Sequence, residues 1–232
     1  MKVFCFPYAG GSSQVYSKWI VHKQFPFEIV PIEIPGRGRL YDVTPRADIH
    51  SLIEFLADHL IRQLVDSYSF FGHSMGAILA FELIRYFEQH NIRTPKHLFV
   101  SGAKAPNQFS QNKKQRRNLP VHLLKEELVN LGGTPKEVLD NEDLLSLFLP
   151  IIRADFSVCE TYSYKTGKPI NCPITVFGGD KDNEASPMAL DSWAEFTKSS
   201  FAKFMFQGDH FYIHNNYEKM LNIMESRINN EL

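Results

Sequence analysis

Short apolar runs alternate with longer, mostly amphipathic stretches over much of the chain. The short runs end in glycine, proline or polar residues, which is typical of buried strands. Because the strands alternate with helices, the pattern predicts an α/β fold with a mostly parallel central sheet and helices on both faces. The predicted strands cover residues 2–6, 28–34, 68–71, 97–101, 172–177 and 201–206.

The helical stretches carry apolar side chains at helical spacing. Residues 47–66 show this most clearly, and we assign their apolar face to the core. Further helices are predicted near residues 15–20, 77–84 and 187–196, and from about residue 216 onward.

The alternation stops between about residues 106 and 167, where the pattern predicts helices and no strand. Helices are expected at 119–131, from about 134, and after Asn141, the last of them bent near Pro150. A helical insertion of this length between two strands is typical of a lid over a functional site. We therefore predict one domain over residues 1–232, with a lid at about 106–167.

Bulk composition narrows the classes of function. The chain has 232 residues, 44% of them hydrophobic, and a formal net charge of −1. This balance argues against nucleic-acid binding, which favours strongly basic domains. The three cysteines form no C-x-x-C pair, which indicates a reducing compartment, and no stretch resembles a signal peptide or a membrane span. We therefore expect a cytoplasmic protein that binds neither nucleic acid nor membrane.

Two basic stretches resemble binding sites at first sight. The first, residues 108–118, is expected to be solvated surface, an acidic macromolecular partner being the alternative. Its basic residues are Lys113, Lys114, Arg116 and Arg117. The second, residues 35–40, contains two glycines but lacks the G-K-S/T ending of a phosphate loop, so we predict a surface loop there.

The pentapeptide Gly72-His73-Ser74-Met75-Gly76 lies between a predicted strand and a predicted helix. It matches G-x-S-x-G, the nucleophile elbow, in which a strained turn projects a serine hydroxyl clear of the backbone. Glycines are needed on both sides because neighbouring backbone passes close to the turn. The turn also points the first free amides of the helix toward the reaction centre. We predict that Ser74 is a nucleophile, the alternative being an ordinary glycine-rich turn.

A serine nucleophile of this type needs an orienting acid and a base, which follow it along the chain in that order. The turn after the fifth predicted strand carries Asp180 and Asp182, and both are candidates for the acid. His210 follows the last predicted strand and is the candidate base. His73 is a poor candidate, because a ring next to Ser74 on the strained turn cannot reach back to the hydroxyl.

The glycine-rich turn at residues 7–13 offers a second oxyanion donor, an amide near Ala9 facing the amide of Met75. The alternative is an ordinary glycine turn. His210 and His214 have a spacing that can hold a metal on a helix, but no glutamate motif accompanies them. We therefore predict neither a metal site nor a cofactor.

Beyond these residues, the sequence resembles the type II thioesterases of nonribosomal peptide and polyketide synthesis, which have the α/β-hydrolase fold. The resemblance covers nearly the whole chain, and its motifs in the helical insertion are not shared by hydrolases generally. The motifs that carry it are Cys5-Phe6-Pro7-Tyr8-Ala9-Gly10-Gly11, Pro35-Gly36-Arg37-Gly38-Arg39, Phe71-Gly72-His73-Ser74-Met75-Gly76, Leu131-Gly132-Gly133-Thr134-Pro135, Leu149-Pro150-Ile151-Ile152-Arg153-Ala154-Asp155 and Gly208-Asp209-His210-Phe211.

The resemblance implies that Ser74 is the nucleophile, His210 the general base and Asp182, rather than Asp180, the acid. The family usually has two glycines before this histidine, whereas Asp209 replaces the second one here and is a third candidate for the acid. The resemblance further implies hydrolysis of acyl thioesters on the phosphopantetheine arm of acyl- or peptidyl-carrier proteins, which clears stalled or mis-primed carriers. We expect a monomer.

Two other functions stay open from the sequence. A small-molecule carboxylesterase or acyl hydrolase would use the same fold, because a fold does not fix a substrate. A non-catalytic binding module of the same fold is the second alternative, although such modules tend to lose a member of the triad.

Overall fold

The computed structural model describes residues 1–22, 24–64, 67–109 and 115–229. Its strands are β1 Lys2–Phe6, β2 Glu28–Pro31, β3 Tyr68–His73, β4 Leu98–Ser101, β5 Ile174–Gly179 and β6 Phe201–Phe206. Within the described residues these six strands form one sheet in the order β2-β1-β3-β4-β5-β6, and every neighbouring pair is parallel. The predicted parallel sheet is confirmed.

The helices are α1 Ser17–Ile20, α2 Ile49–Leu60, α3 Met75–Gln89, α4 Val121–Leu131, α5 Lys136–Asp140, α6 Glu142–Thr161, α7 Pro187–Asp191 and α8 Ile213–Asn229. Short 3₁₀ helices cover Ser13–Tyr16, Gly38–Leu40, Ile61–Gln63, Pro106–Gln108, Arg116–Asn118 and Ser192–Phe196. No helix within the described ranges has both the length and the apolar character that a membrane crossing requires.

The four central strands are buried on both faces, because successive strand residues point to opposite sides and helices cover each side, whereas the edge strands β2 and β6 are only partly buried. On β1, Phe4 and Phe6 belong to the core shared with α2 and α3. Val3 and Cys5 belong to the opposite core, shared with α1 and α8. This two-sided burial explains why the strands appear in the sequence as continuous apolar runs rather than as alternating ones.

Several element boundaries differ from the predicted ones by a few residues. β2 ends at Pro31 rather than at residue 34, although the Ile32 N–H still donates to the Cys5 carbonyl at 2.9 Å. α2 ends at Leu60 and continues as a 3₁₀ turn, and residues 65 and 66 of the predicted helix lie outside the described ranges. α8 begins at Ile213 rather than near residue 216, because Ile213 is fully buried and joins the core.

The segment between β4 and β5 contains α4, α5 and α6, and no strand is found among its described residues. We refer to residues 106–161 as the helical insertion. Asn141 caps α6 by accepting a hydrogen bond from the Leu144 N–H at 3.0 Å. The insertion has a small apolar core of its own, formed by Leu124, Leu128, Leu139, Leu145, Ile152 and Phe156.

The prediction of solvated surface is wrong for two basic residues of the insertion. Arg116 forms ion pairs with Glu127 at 2.8 Å and Glu184 at 3.0 Å. Arg117 forms one with Glu160 at 3.2 Å. Glu160 and Glu184 come from distant positions in the chain, so local composition could not indicate them. Residues 113 and 114, the two lysines of the same stretch, lie outside the described residues.

The prediction of a surface loop at residues 35–40 is wrong for Arg37. Gly38 and Arg39 are exposed, but Arg37 is only 4% exposed. Its guanidinium lies against the carboxylate of Asp155 in α6, where an ion pair compensates for the loss of water. The loop therefore connects the sheet to the helical insertion.

We predict that Phe177→Ala lowers the free energy of unfolding by about 3–5 kcal/mol, because Phe177 is fully buried among aromatic rings of neighbouring strands. Urea unfolding monitored by tryptophan fluorescence measures the loss. Met188→Ala is the matched control: Met188 is 82% exposed, so its loss should stay within about 0.5 kcal/mol. Equal effects of the two substitutions would contradict the assignment of Phe177 to the core.

Candidate active site

The three residues predicted to act together follow three different strands. Ser74 follows β3, Asp182 lies in the turn after β5, and His210 lies in the turn after β6. Since the sheet is parallel, these carboxyl ends lie at one edge, where α/β proteins hold their ligands. The topology therefore brings together residues that are distant in the sequence.

Ser74 has a strained backbone, with φ 54° and ψ −117°. A non-glycine residue with positive φ is uncommon and is held only by its surroundings. The Ser74 N–H donates to the Ser101 carbonyl at 2.8 Å, which fixes the turn against β4. A Cβ on Gly72 would lie 2.2 Å from the Gly76 carbonyl oxygen, and one on Gly76 would lie 2.1 Å from that of Phe6. Both glycines are therefore required by the close approach of backbone.

His210 connects the serine to an acid. Its Nε2 lies 3.0 Å from Ser74 Oγ, and its Nδ1 lies 2.8 Å from Asp182 Oδ2. Asp182 is 5% exposed, and its Oδ1 accepts hydrogen bonds from the N–H groups of Glu184 and Ala185 at 2.8 and 3.1 Å. The carboxylate is thus fixed by the turn that carries it, and it orients the imidazole.

The carboxylates of the other two candidate acids hydrogen-bond to backbone N–H groups instead of to His210. Asp180 Oδ1 accepts the Gly208 N–H at 2.9 Å, and Asp209 Oδ1 accepts the Phe211 N–H at 2.9 Å. Both residues are exposed. Their hydrogen bonds shape the loop before α8 rather than reach the imidazole, so the geometry favours Asp182 as the orienting acid.

A second hydrogen-bonded network, formed by buried side chains, packs against the His210 ring. His73 Nδ1 lies 2.9 Å from Ser101 Oγ, which lies 2.6 Å from the Tyr212 hydroxyl. The His73 and His210 ring centroids are 5.0 Å apart. Burial lowers the pKa of His73 well below its usual value, and His210 and His214 act in the same direction. His73 is therefore a neutral packing partner of the candidate base at neutral pH.

Sequence reasoning missed Ser101 and Tyr212. Both are fully or almost fully buried, and burial raises the pKa of the Tyr212 hydroxyl, which keeps it protonated. The available signal was weak: Ser101 ends an apolar strand, and Tyr212 lies close to His210 in the sequence. A polar residue ending a buried strand at this edge of the sheet is a reason to look for a hydrogen-bonding partner.

A cavity of about 400 Å³ opens between this edge of the sheet and the helical insertion. Ser74 and His210 line it at the sheet, next to Ala9 and Met75. Its apolar wall includes Ile78, Phe109, Leu128, Leu131, Ile152, Phe156 and Val158. A cavity of this size can hold an apolar chain attached to the serine.

The predicted oxyanion donors line the same cavity. Met75 is the first residue of α3, where helix N–H groups have no partner within the helix. Ala9 belongs to a tight turn closed by the Gly11 N–H and the Tyr8 carbonyl at 2.9 Å. Neither the Ala9 nor the Met75 N–H donates to an acceptor within the described part of the chain. Both are therefore available to an oxygen beside Ser74.

Comparison with known proteins decides the family. The model of the thioesterase domain family matches residues 1–228. The chain belongs to the thioesterase family. The gramicidin S biosynthesis protein GrsT of Aneurinibacillus migulanus is 38% identical to this thioesterase over 97% of this chain and 87% of its own.

Solved structures agree with that assignment. ClbQ from the colibactin NRPS/PKS pathway superposes with a TM-score of 0.92 and 31% identity, over 99% of this chain and 97% of its own. The type II thioesterase BorB from the borrelidin cluster superposes with a TM-score of 0.88 and 33% identity, over 97% and 91%. The resemblance to type II thioesterases and the α/β-hydrolase fold are thereby confirmed, and the protein is a hydrolase that acts on thioesters.

From the burial of His73 we predict how the free energy of unfolding depends on pH. Because its pKa is lower in the folded than in the unfolded protein, its contribution to the free energy of unfolding is complete above about pH 6.5 and is lost as the pH falls toward the folded pKa. As the pH falls below about 6.5, the free energy of unfolding of His73→Gln should decrease less steeply than that of the wild type. The two slopes should differ by at most about 1.4 kcal/mol per pH unit.

Urea unfolding at a series of pH values compares the two slopes. Above about pH 7.5 the wild-type and variant curves should run parallel, since neither protein binds a proton at this position there. Equal slopes below pH 6.5 would mean that His73 is as readily protonated in the folded protein as in the unfolded chain.

Proposed function

We propose that this thioesterase hydrolyses acyl thioesters on the phosphopantetheine arm of carrier proteins, clearing stalled or mis-primed carriers of nonribosomal peptide or polyketide synthesis. The observation that carries the proposal is the hydrogen-bonded series Asp182, His210 and Ser74 at the end of an apolar cavity. The names of GrsT and ClbQ support the biosynthetic setting. A thioester attached to a long flexible arm can reach a cavity that lies beneath a helical cover.

The first half of the reaction transfers the acyl group to the enzyme. His210 Nε2 takes the proton of Ser74 Oγ, 3.0 Å away, as the oxygen attacks the thioester carbonyl. Asp182 keeps the Nδ1 proton on the opposite side of the ring and stabilises the imidazolium that forms. The C–S bond then breaks, and the thiol leaves with the proton from His210. A thiolate is a good leaving group, so little help from a general acid is needed.

Negative charge collects on the carbonyl oxygen during this attack. The N–H groups of Met75 and Ala9 receive it, and the N-terminal end of α3 adds its positive dipole. Removing one such donor typically costs about 3 kcal/mol of transition-state stabilisation. Two fixed donors therefore account for a large part of the rate enhancement.

The second half releases the acid. Water enters the position left by the thiol, and His210 takes its proton as the oxygen attacks the Ser74 ester. Collapse of the second tetrahedral intermediate breaks the bond to Ser74 Oγ, which regains a proton from His210. The enzyme returns to its starting state without a cofactor.

We also propose that the helical insertion, within a lid at about residues 106–167 of one domain, covers the cavity and contacts the carrier. Its own apolar core and its contribution to the cavity wall support this role. A cytoplasmic location is proposed as well, on the odd number of cysteines in the sequence. The monomeric state stays a prediction.

Asp182→Asn should lower the rate of thioester hydrolysis by orders of magnitude, because an amide in this position favours the wrong tautomer of His210. Asp180→Asn is the matched control, since Asp180 has the same side chain but contacts the Gly208 N–H instead. Steady-state hydrolysis of one acyl thioester by both variants makes the comparison. If Asp180→Asn is the more damaging change, the assignment of the acid is wrong.

The proposed substrate is tested with one acyl group presented in two forms, as a carrier-protein thioester and as a short free oxygen ester. We expect kcat/KM to be much higher on the carrier, because only the carrier offers a protein surface to the insertion. Ser74→Ala should remove both activities and leave the circular dichroism spectrum unchanged. A preference for the free ester would favour a small-molecule esterase, and unchanged turnover by Ser74→Ala would reject Ser74 as the nucleophile.

A further inference from the structure

A buried ion pair joins the helical insertion to the sheet. Arg37 Nη1 and Nη2 lie 2.7 Å from Asp155 Oδ2 and Oδ1, in the bidentate geometry that makes arginine–carboxylate pairs strong. The two side chains are 4% and 1% exposed. Asp155 belongs to α6, whereas Arg37 follows β2, so the contact links elements that are far apart in the sequence.

The same two side chains hold the turn that carries the Ala9 amide. Asp155 Oδ2 accepts the Gly10 N–H at 2.7 Å, and Arg37 Nη1 donates to the Gly11 carbonyl at 2.8 Å. The Gly10 N–H belongs to the peptide unit that begins with the Ala9 carbonyl, so its hydrogen bond fixes the backbone on one side of Ala9. Gly10 has a φ of +77°, a conformation that contacts of this kind must hold in place.

Stability alone is a weak reason for such a pair. Moving two charges out of water is costly, and apolar residues of similar size often serve a fold equally well. Arg37 Nε is also buried without a hydrogen-bonding partner among the described residues, so the arrangement is not optimised for stability. Apart from the hydrogen bonds between them, the shortest hydrogen bonds of Arg37 and Asp155 are made with the backbone of Gly11 and Gly10.

We propose that Arg37 and Asp155 are positioning residues through which α6 of the insertion holds the Ala9 N–H in place as an oxyanion donor. This inference rests on the proposed function. It implies that the position of α6 and the geometry of the oxyanion site are coupled, because movement of α6 away from the sheet withdraws the Asp155 carboxylate from the Gly10 N–H. Neither residue is expected to touch the reacting atoms.

The test uses two conservative variants of the full chain, Asp155→Asn and Arg37→Lys. Asparagine keeps the shape but loses the charge, and lysine keeps the charge but loses the planar fork. Each should lower kcat on an acyl thioester by about 100-fold with KM changed less than about threefold, because a misplaced donor weakens the transition state more than the bound substrate. The double variant should be no slower than the slower single one, since the pair acts as a unit.

Two inhibitors separate positioning from general damage. An alkyl boronic acid adds to the serine and places an oxygen in the oxyanion site, whereas a thioether analogue of the substrate only fills the cavity. Both variants should bind the boronic acid about 100-fold more weakly, in line with kcat, and bind the thioether as the wild type does. Asp191→Asn, which removes a carboxylate from the ion pair with Lys203, should change neither affinity.

Equal losses for both inhibitors, variants that do not fold, or an unchanged kcat would each overturn the inference and leave the pair a purely structural role. Failure of the proposed function has a different signature. In that case the wild type itself would not hydrolyse carrier thioesters, or a serine-directed phosphonate would not label Ser74, before any variant is compared.

Discussion

The hydrogen bond between Ser74 and His210 depends on a steric constraint in the backbone. The chain must turn from β3 into α3 within one residue, and Ser74 takes a positive φ to make that turn. Gly72 and Gly76 lie so close to passing backbone that any side chain there would collide with a carbonyl group. The strain is held by the buried strands on both sides, and its result is a hydroxyl that projects from the sheet edge into a cavity.

The rest of the site is arranged around that hydroxyl by the parallel topology. β5 and β6 end at the same edge and supply Asp182 and His210, whose contacts fix the imidazole in one plane. Behind the ring, His73 and Tyr212 meet at Ser101, and all three side chains are buried. The helical insertion forms the opposite wall, and its buried ion pair ties that wall to the turn at Ala9.

Local patterns were sufficient to indicate the strands, the strained turn at Ser74 and the histidine that contacts it. Buried parallel strands have a distinct composition. G-x-S-x-G between a strand and a helix can be recognised in a sequence because its glycines are required on steric grounds. Asp180 and Asp182 could not be separated by the residues alone. Their difference arises because the Asp180 N–H extends the contact with β6 while Asp182 turns inward, which is a property of the folded turn.

Arg37 was missed for a related reason. Its loop has the composition of exposed chain, and nothing near it signals a carboxylate more than a hundred positions away. The same holds for Arg116 and Glu184, which become neighbours only when the insertion folds over the sheet. Long-range electrostatic pairs leave no periodic trace in a sequence, whereas apolar faces do.

The proposed mechanism requires a covalent acyl intermediate on the strained serine. Acid quenching of the wild-type enzyme during turnover of an acyl-carrier thioester, followed by peptide mass spectrometry, tests it directly. We expect a mass increase equal to the acyl group on the peptide that contains Ser74. Turnover without an adduct on that peptide, or an adduct confined to another residue, would contradict it.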